Sequence, residues 1–234
     1  GHVVASTDPA FKEGDAVLVT GSGLSETRDG GYADYARLES KWVVPLPDGL
    51  SLRESMVLGT AGFTAALALL RMTENRQLPA LGPLAVTGAT GGVGSLAIAI
   101  FAKSGYEVHA ISGKADQAGY LQALGASAVL GREALSTTRP MDAARFGGGL
   151  DNVGGPMLAA LLAQTAPYGN VASAGLAASH ELHATVMPFI IRGVSLLGVA
   201  SAGTARDLRD EVWRRLSSEW KPACLDAICT RETG

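Results

Sequence analysis

Residues 84–100 read LAVTGATGGVGSLAIAI, from Leu84 to Ile100. Leu84–Thr87 has the make-up of a short buried strand. It runs straight into Gly88-Ala89-Thr90-Gly91-Gly92-Val93-Gly94, and the apolar stretch Val93–Lys103 that follows reads as a helix. A strand, a glycine-rich turn and a helix in that order form a unit that holds a dinucleotide phosphate. The strict fingerprint G-x-G-x-x-G has glycine where Ala89 stands, so the pattern here is A-x-G-G-V-G. The physics is kept. Gly91 and Gly92 let backbone N–H groups approach a pyrophosphate, Gly94 lets the helix pack on the strand, and the helix N-terminus adds its dipole.

The same texture continues outward. Glu107–Ile111 reads as a second strand and Asp116–Leu124 as a second helix, ended by Gly125. Ala128–Leu130, Leu150–Asn152, Asn170–Ser173 and Val194–Val199 supply four more strands, and Met157–Gln164 and Ala205–Glu219 further helices. Strands alternating with helices predict an α/β fold with a doubly wound parallel sheet of the Rossmann type, placed at 81–220.

Residues 1–50 read differently. Ala16–Thr20 is a short apolar strand, a glycine-rich loop runs from Gly21 to Gly31, Tyr32–Leu38 alternates loosely, and Trp42–Pro45 is another apolar run. These features suggest part of a small barrel or meander. At 51–80 a helical connection is expected. Ser51 with Glu54 three positions on makes a capping box, while Gly59 and Gly62 place the main helix start near Ala61.

Composition narrows the function classes. Of the 234 residues, 47% are hydrophobic and 18% charged, enough for a real core and against disorder. The net charge of −3 argues against a nucleic-acid partner. Two cysteines exclude a disulfide scaffold and fit a reducing, cytoplasmic setting. The apolar run Ala65–Leu70 is far short of the ~20 residues of a bilayer span, and Phe189–Leu197 is broken by Arg192 and Gly193, so no membrane contact is expected. The opening GHVVAS reads as the end of a strand already under way, as in a fragment.

The tip of the second strand selects the nucleotide. An NAD site has Asp or Glu there for the ribose hydroxyls; here Ile111 is followed by Ser112-Gly113-Lys114. Ser112 can donate to a phosphate and Lys114 can neutralise one, which favours NADP(H). The plain alternative is a Ser-Gly turn with a solvated lysine. His180 and His183 would share a face only on a helix, and their segment reads as extended. Cys224 and Cys229 lack zinc-site spacing, so no metal is expected. There is no G-x-S-x-G elbow. Asp151, at the tip of the fourth strand, either orients a residue near the nicotinamide or serves a helix cap or turn.

Several stretches together resemble the medium-chain dehydrogenase/reductases, and within them the acrylyl-CoA reductase (AcuI/YhdH-like) group. They are DPAFKEGDAVLVTG, GTAGFTAAL, VTGATGGVGS, ISGK, YLQALGAS, LAQT, ATVMPFIIRGVSLLGV and RDEVWRRL. The resemblance implies a GroES-like barrel, incomplete here at 1–50, joined to a Rossmann domain, with 221–234 starting a C-terminal return to the barrel. It implies NADPH as cofactor and no catalytic zinc. Thr90, Gly91, Gly92 and Val93 match the phosphate loop. Ser112, Gly113 and Lys114 match the adenosine-phosphate pocket, where the group often has Arg in place of Lys114. Arg132 matches a basic residue after the third strand. Gly175 and Leu176, and the segment Gly198–Ser201, match stretches that approach the nicotinamide. A homodimer joined at the Rossmann sheet edge, through Val194–Val199, is also implied.

Departures are visible. The loop Gly21–Gly31 lacks the two tryptophans and the histidine usual in the group, and Ala200 stands where Asp is usual. The implied activity is NADPH-dependent reduction of the α,β double bond of an acyl-CoA thioester, acryloyl-CoA to propionyl-CoA. Two alternatives stay open: an NADPH-dependent quinone or alkenal reductase, and a cofactor-binding fragment without catalysis. No residue is singled out as the proton donor.

Overall fold

The computed structural model describes residues 1–229, so the last five residues of the expected 221–234 return segment lie outside the described residues. Near the N-terminus, β1 (Val17–Leu18) pairs antiparallel with β2 (Val44–Pro45), and His2 bridges to Ala16 beside them. Tyr32–Arg37 is fully exposed and forms no strand, because no second layer lies against its alternating residues.

Helix α1 (Leu52–Glu74) begins where the capping box sits. Ser51 Oγ accepts from the Glu54 amide at 3.1 Å, and Glu54 Oε2 accepts from the Ser51 amide at 2.8 Å. This nucleates helix well before Ala61, which corrects the expected late start. Gly59 instead makes a kink inside the helix, with φ 48° and ψ −153°, a conformation open only to glycine. By length and composition α1 could cross a membrane, although its longest unbroken apolar run is short; 61% of its apolar window is buried inside this fold. Phe63, Leu67, Leu69, Leu70 and Met72 all enter the core, where each large apolar side chain contributes about 1.5–3 kcal/mol.

The rest of the chain builds a six-stranded sheet from β3 (Leu84–Thr87), β4 (Val108–Ile111), β5 (Ala128–Leu130), β6 (Phe146–Asp151), β7 (Thr165–Ser173) and β8 (Ser195–Gly198). Their order is β5-β4-β3-β6-β7-β8 and every pairing is parallel. The helices are α2 (Gly92–Lys103), α3 (Ala118–Ala123), α4 (Gly155–Ala163), α5 (Met187–Arg192), α6 (Arg206–Leu216) and α7 (Leu225–Ile228). The alternation of strand residues divides the core. Leu84, Val86, Leu150 and Ala172 face α1, α2 and α6, whereas Ala85, Val171 and Phe146 face α4. Strand order steps outward in opposite senses from β3 and from β6, and in a sheet of this kind the ligand crevice lies outside the carboxyl ends of those two strands.

Candidate functional site: a dinucleotide crevice

The glycine-rich loop forms one lip of the crevice. Gly88 follows β3 with φ 59°, and Gly91 caps α2 in an extended conformation. The Gly91 amide donates to Gly88 O at 2.9 Å, and Ser95 N donates to Gly91 O at 2.8 Å. The amides of Gly92, Val93 and Gly94 precede that first helical bond and have no acceptor within the helix. A Cβ at Gly94 would stand 2.3 Å from Gly88 O, so the first turn of α2 rests directly on the loop. Ala89, placed where the strict fingerprint has glycine, is fully buried beneath it. Thr90 and Val93 are half-buried, and Gly91 and Gly92 are exposed at the mouth.

A buried polar weld forms the floor. Thr87 Oγ1 donates to Asp151 Oδ1 at 2.7 Å and accepts from the Asn152 amide at 2.9 Å. Asn152 Nδ2 donates to Thr87 O at 2.8 Å. Asp151 Oδ2 accepts from the amides of Gly154 at 2.7 Å and Val153 at 3.3 Å. Burial pushes the Asp151 carboxyl above its ordinary range, while the Thr87 hydroxyl and the two amides pull the other way. Of the two roles open to Asp151, the geometry shows the turn role: it shapes the entry to α4 and ties β6 to β3. Thr87 and Asn152 were not singled out from the sequence. Each is a polar residue at a strand tip, but nothing in the chain announces a pairing across 64 or 65 positions.

On the β4–β5 side lie Ser112, Gly113, Lys114 and Arg132. Ser112 Oγ accepts from the Lys114 amide at 3.0 Å, which makes the tight turn the sequence suggested. Gly113 and Lys114 are exposed, and Arg132 reaches over Gly113 from beyond β5. Among the described residues neither Lys114 nor Arg132 forms an ion pair, and both are exposed at these strand tips.

On the β6–β8 side, the backbone of Gly175 lies against Asn152: a Cβ there would meet Asn152 O at 2.5 Å. Leu176 follows and is exposed. Ala177 and Ala178 donate to the carbonyls of Asn152 and Val153 at 3.4 and 2.8 Å, folding this loop across the entry to α4. Ser201 lies farther along, in the loop after β8, half-buried. The structure thus brings Thr90–Val93, Gly175 and Leu176 around one crevice. It places Ser112–Lys114 with Arg132 at one end and Ser201 at the other. From β4 to β8 the strand tips span about 19 Å at ~4.8 Å per strand, room for an extended dinucleotide. Unpaired helix amides in the middle and two exposed cations at one end fit a dinucleotide with an extra phosphate.

His180 and His183 do not meet on a helix; His183 Nε2 sits 3.0 Å from Glu181 Oε2 on the surface. Cys224 is a free, half-buried thiol whose pKa burial raises. Among the described residues no three His, Cys, Asp or Glu side chains gather as metal ligands, so these residues do not fit a zinc site.

Known proteins share this architecture. The family described as "Zinc-binding dehydrogenase" matches residues 92–218. YhfP of Bacillus subtilis, provisionally named a quinone oxidoreductase, is 48% identical over 99% of this chain and 71% of its own length. The acrylyl-CoA reductase AcuI of Ruegeria pomeroyi is 43% identical over 97% of this chain and 70% of its own. Among solved structures, the YhdH oxidoreductase of Salmonella enterica in complex with NADP superposes with TM-score 0.94 at 45% identity, over 97% of this chain and 70% of that one. YhfP with NAD bound superposes with TM-score 0.95 at 47% identity, with the same coverage. The chain belongs to the zinc-binding dehydrogenase family, in the AcuI/YhdH-like group of the medium-chain dehydrogenase/reductases.

Proposed function

We propose that the protein is an NADPH-dependent oxidoreductase that reduces the α,β double bond of an acyl-CoA thioester, acryloyl-CoA to propionyl-CoA. The observation that carries this reading is the strand tip at Ser112-Gly113-Lys114, free of carboxylate and flanked by Arg132. The likeness to AcuI supports the substrate class. The chain divides in this reading into a barrel portion at 1–50, a helical connection at 51–80, the cofactor domain at 81–220 and a return segment from 221.

NADPH, when bound, supplies hydride to the substrate's β-carbon. The chain's own residues bind and orient. The amides of Gly92 and Val93, with the dipole of α2, would hold the pyrophosphate. Ser112, Gly113, Lys114 and Arg132 would hold the adenosine phosphate, and Gly175, Leu176 and Ser201 the nicotinamide end. The Thr87–Asp151–Asn152 weld keeps the two lips at a fixed separation. Charge developing on a thioester oxygen needs fixed donors, and no residue is assigned there.

A quinone oxidoreductase is the second reading, favoured by the 48% identity to YhfP. Comparing turnover of acryloyl-CoA, an alkenal and a quinone with NADPH separates the two. NADPH binding with no turnover on any acceptor would point to a cofactor-binding module. Turnover of acryloyl-CoA tenfold or more above the others, as kcat/KM, is the expected result.

We also propose a homodimer across the outer edge of β8, which no strand among the described residues covers. Exposed Ile190, Ile191, Met187 and Leu196 surround that edge. A chain with only two cysteines is in keeping with a cytoplasmic setting, which we also propose.

A further inference from the structure

Among the described residues Arg209 is the only buried lysine or arginine, 4% exposed. Burying a guanidinium is costly unless its donors are met. Here they are met by oxygens of the backbone and of a threonine, with no carboxylate. Nη1 donates to Thr20 O at 2.9 Å and to Thr20 Oγ1 at 2.8 Å. Nη2 donates to the carbonyls of Ser201 at 3.2 Å and Ala202 at 3.3 Å. The cation also stands 4.8 Å from the Phe63 ring centroid. These partners come from the chain just past β1, the loop after β8, and α1. One side chain of α6 therefore fixes three segments relative to one another.

The loop after β8 is held from behind along its length. Arg71 of α1 donates to Gly198 O. Thr204 Oγ1 donates to the carbonyls of Ala200 and Ser201, both at 3.0 Å. The Ser22 amide donates to Ala202 O at 3.3 Å. In a trans peptide the next N–H points opposite its carbonyl. The amides of Ser201, Ala202 and Gly203 therefore face away from Thr204 and Arg209. The loop itself leaves the carboxyl edge of the sheet, where Gly198 is in register with Ser173, and Ser173 with Asp151. That edge is where a doubly wound sheet binds its ligand.

We propose that Arg209 is a positioning residue for the nicotinamide end of the cofactor. It fixes the 199–204 loop against Thr20 and Phe63, and so couples the cofactor edge of the sheet to the N-terminal β unit. The inference rests on the NADPH reading above.

The test titrates the wild-type chain, R209K and R209Q with NADPH and with 2′-phospho-ADP-ribose, which lacks the nicotinamide. Lysine keeps a cation over Phe63, but one ammonium cannot span Thr20 and the Ser201–Ala202 carbonyls. R209K should weaken NADPH about tenfold and leave 2′-phospho-ADP-ribose within about twofold, with R209Q moving further in the same direction. Thermal denaturation reports folding of each variant, and R209K carries the test if R209Q does not fold. Equal weakening of both ligands in R209K, or weakening of neither, overturns the proposal. A wild-type chain that binds the two ligands equally also overturns it while leaving the adenosine-end assignment standing. A wild-type chain that binds neither overturns the cofactor reading and this proposal together.

Discussion

The guanidinium of Arg132 lies across the backbone of Gly113: a Cβ on Gly113 would stand 2.6 Å from its Nε and 3.0 Å from its Cζ. The tips of β4 and β5 thus share one surface, on which Lys114 is the second cation. A phosphate placed there meets two positive groups, neither of them ion-paired among the described residues, while the Glu133 carboxylate is turned back over Gly131. A ribose without that phosphate has little to gain from them.

Cofactor preference should therefore collapse with these charges. Lys114→Ala and Arg132→Ala are each expected to weaken NADPH by roughly ten- to a hundredfold, since charge-assisted hydrogen bonds are worth about 1.5–3 kcal/mol, and to leave NADH nearly unchanged. Fluorescence titration with the two cofactors in parallel checks this. Equal binding of NADPH and NADH by the wild-type chain would sink the phosphate-pocket assignment and leave the fold untouched.

Two glycine substitutions should separate selectivity from folding. At Gly113 the atoms that an added methyl group meets are the far end of a flexible arginine. Gly113→Ala should displace Arg132, lower NADPH preference and leave Tm within about a degree or two. At Gly94 the atoms met are backbone, Gly88 O at 2.3 Å and Ala89 Cα at 2.8 Å. Gly94→Ala should push α2 off the loop, cost about 1–3 kcal/mol of stability and abolish binding of both cofactors. Calorimetry alongside titration distinguishes the two patterns.

How far the sequence carries is clear from particular elements. The strands at Leu84–Thr87 and Ala128–Leu130 fall where the apolar runs predict them. β6 starts earlier than expected, at Phe146, because Gly147-Gly148-Gly149 reads as loop, whereas the sheet uses it where neighbouring backbones crowd in. The phosphate loop was legible because its chemistry is local, one turn between one strand and one helix. The Thr87–Asp151 bond and the Arg209 anchor were not, because each joins distant parts of the chain. In RDLRDEVWRRL an arginine also looks like one more solvated charge. At the start of α1 the two glycines point to Ala61, but the capping box at Ser51 and Glu54 nucleates the helix from Leu52.

Association through β8 gives a prediction of its own. Leu196→Asp would set a charge on the open strand edge, 36% exposed in the single chain. Like-charge contact across a two-fold axis disfavours pairing. Light scattering should show a dimer for the wild-type chain and a monomer for the variant, with NADPH affinity unchanged. A wild-type chain that is monomeric at all concentrations would overturn the edge assignment.

Asp151 should make stability depend on pH in an unusual sense. Burial raises its carboxyl pKa above the ordinary 3.8. Between 3.8 and that raised value the folded chain binds more protons than the unfolded one, so this residue's contribution is full below 3.8 and is lost as pH rises through the folded pKa. Asp151→Asn does not titrate, but its amide group faces one of the donors from Thr87 or Gly154, a mismatch of about 1–3 kcal/mol. The variant should therefore be less stable than wild type at pH 4, and the gap should narrow as pH is raised. Urea unfolding of both proteins from pH 4 to pH 8 measures it. A gap that widens with pH would mean that the hydroxyl of Thr87 and the two amides outweigh burial. Asp151 would then be a carboxylate held in its charged form at the base of the crevice.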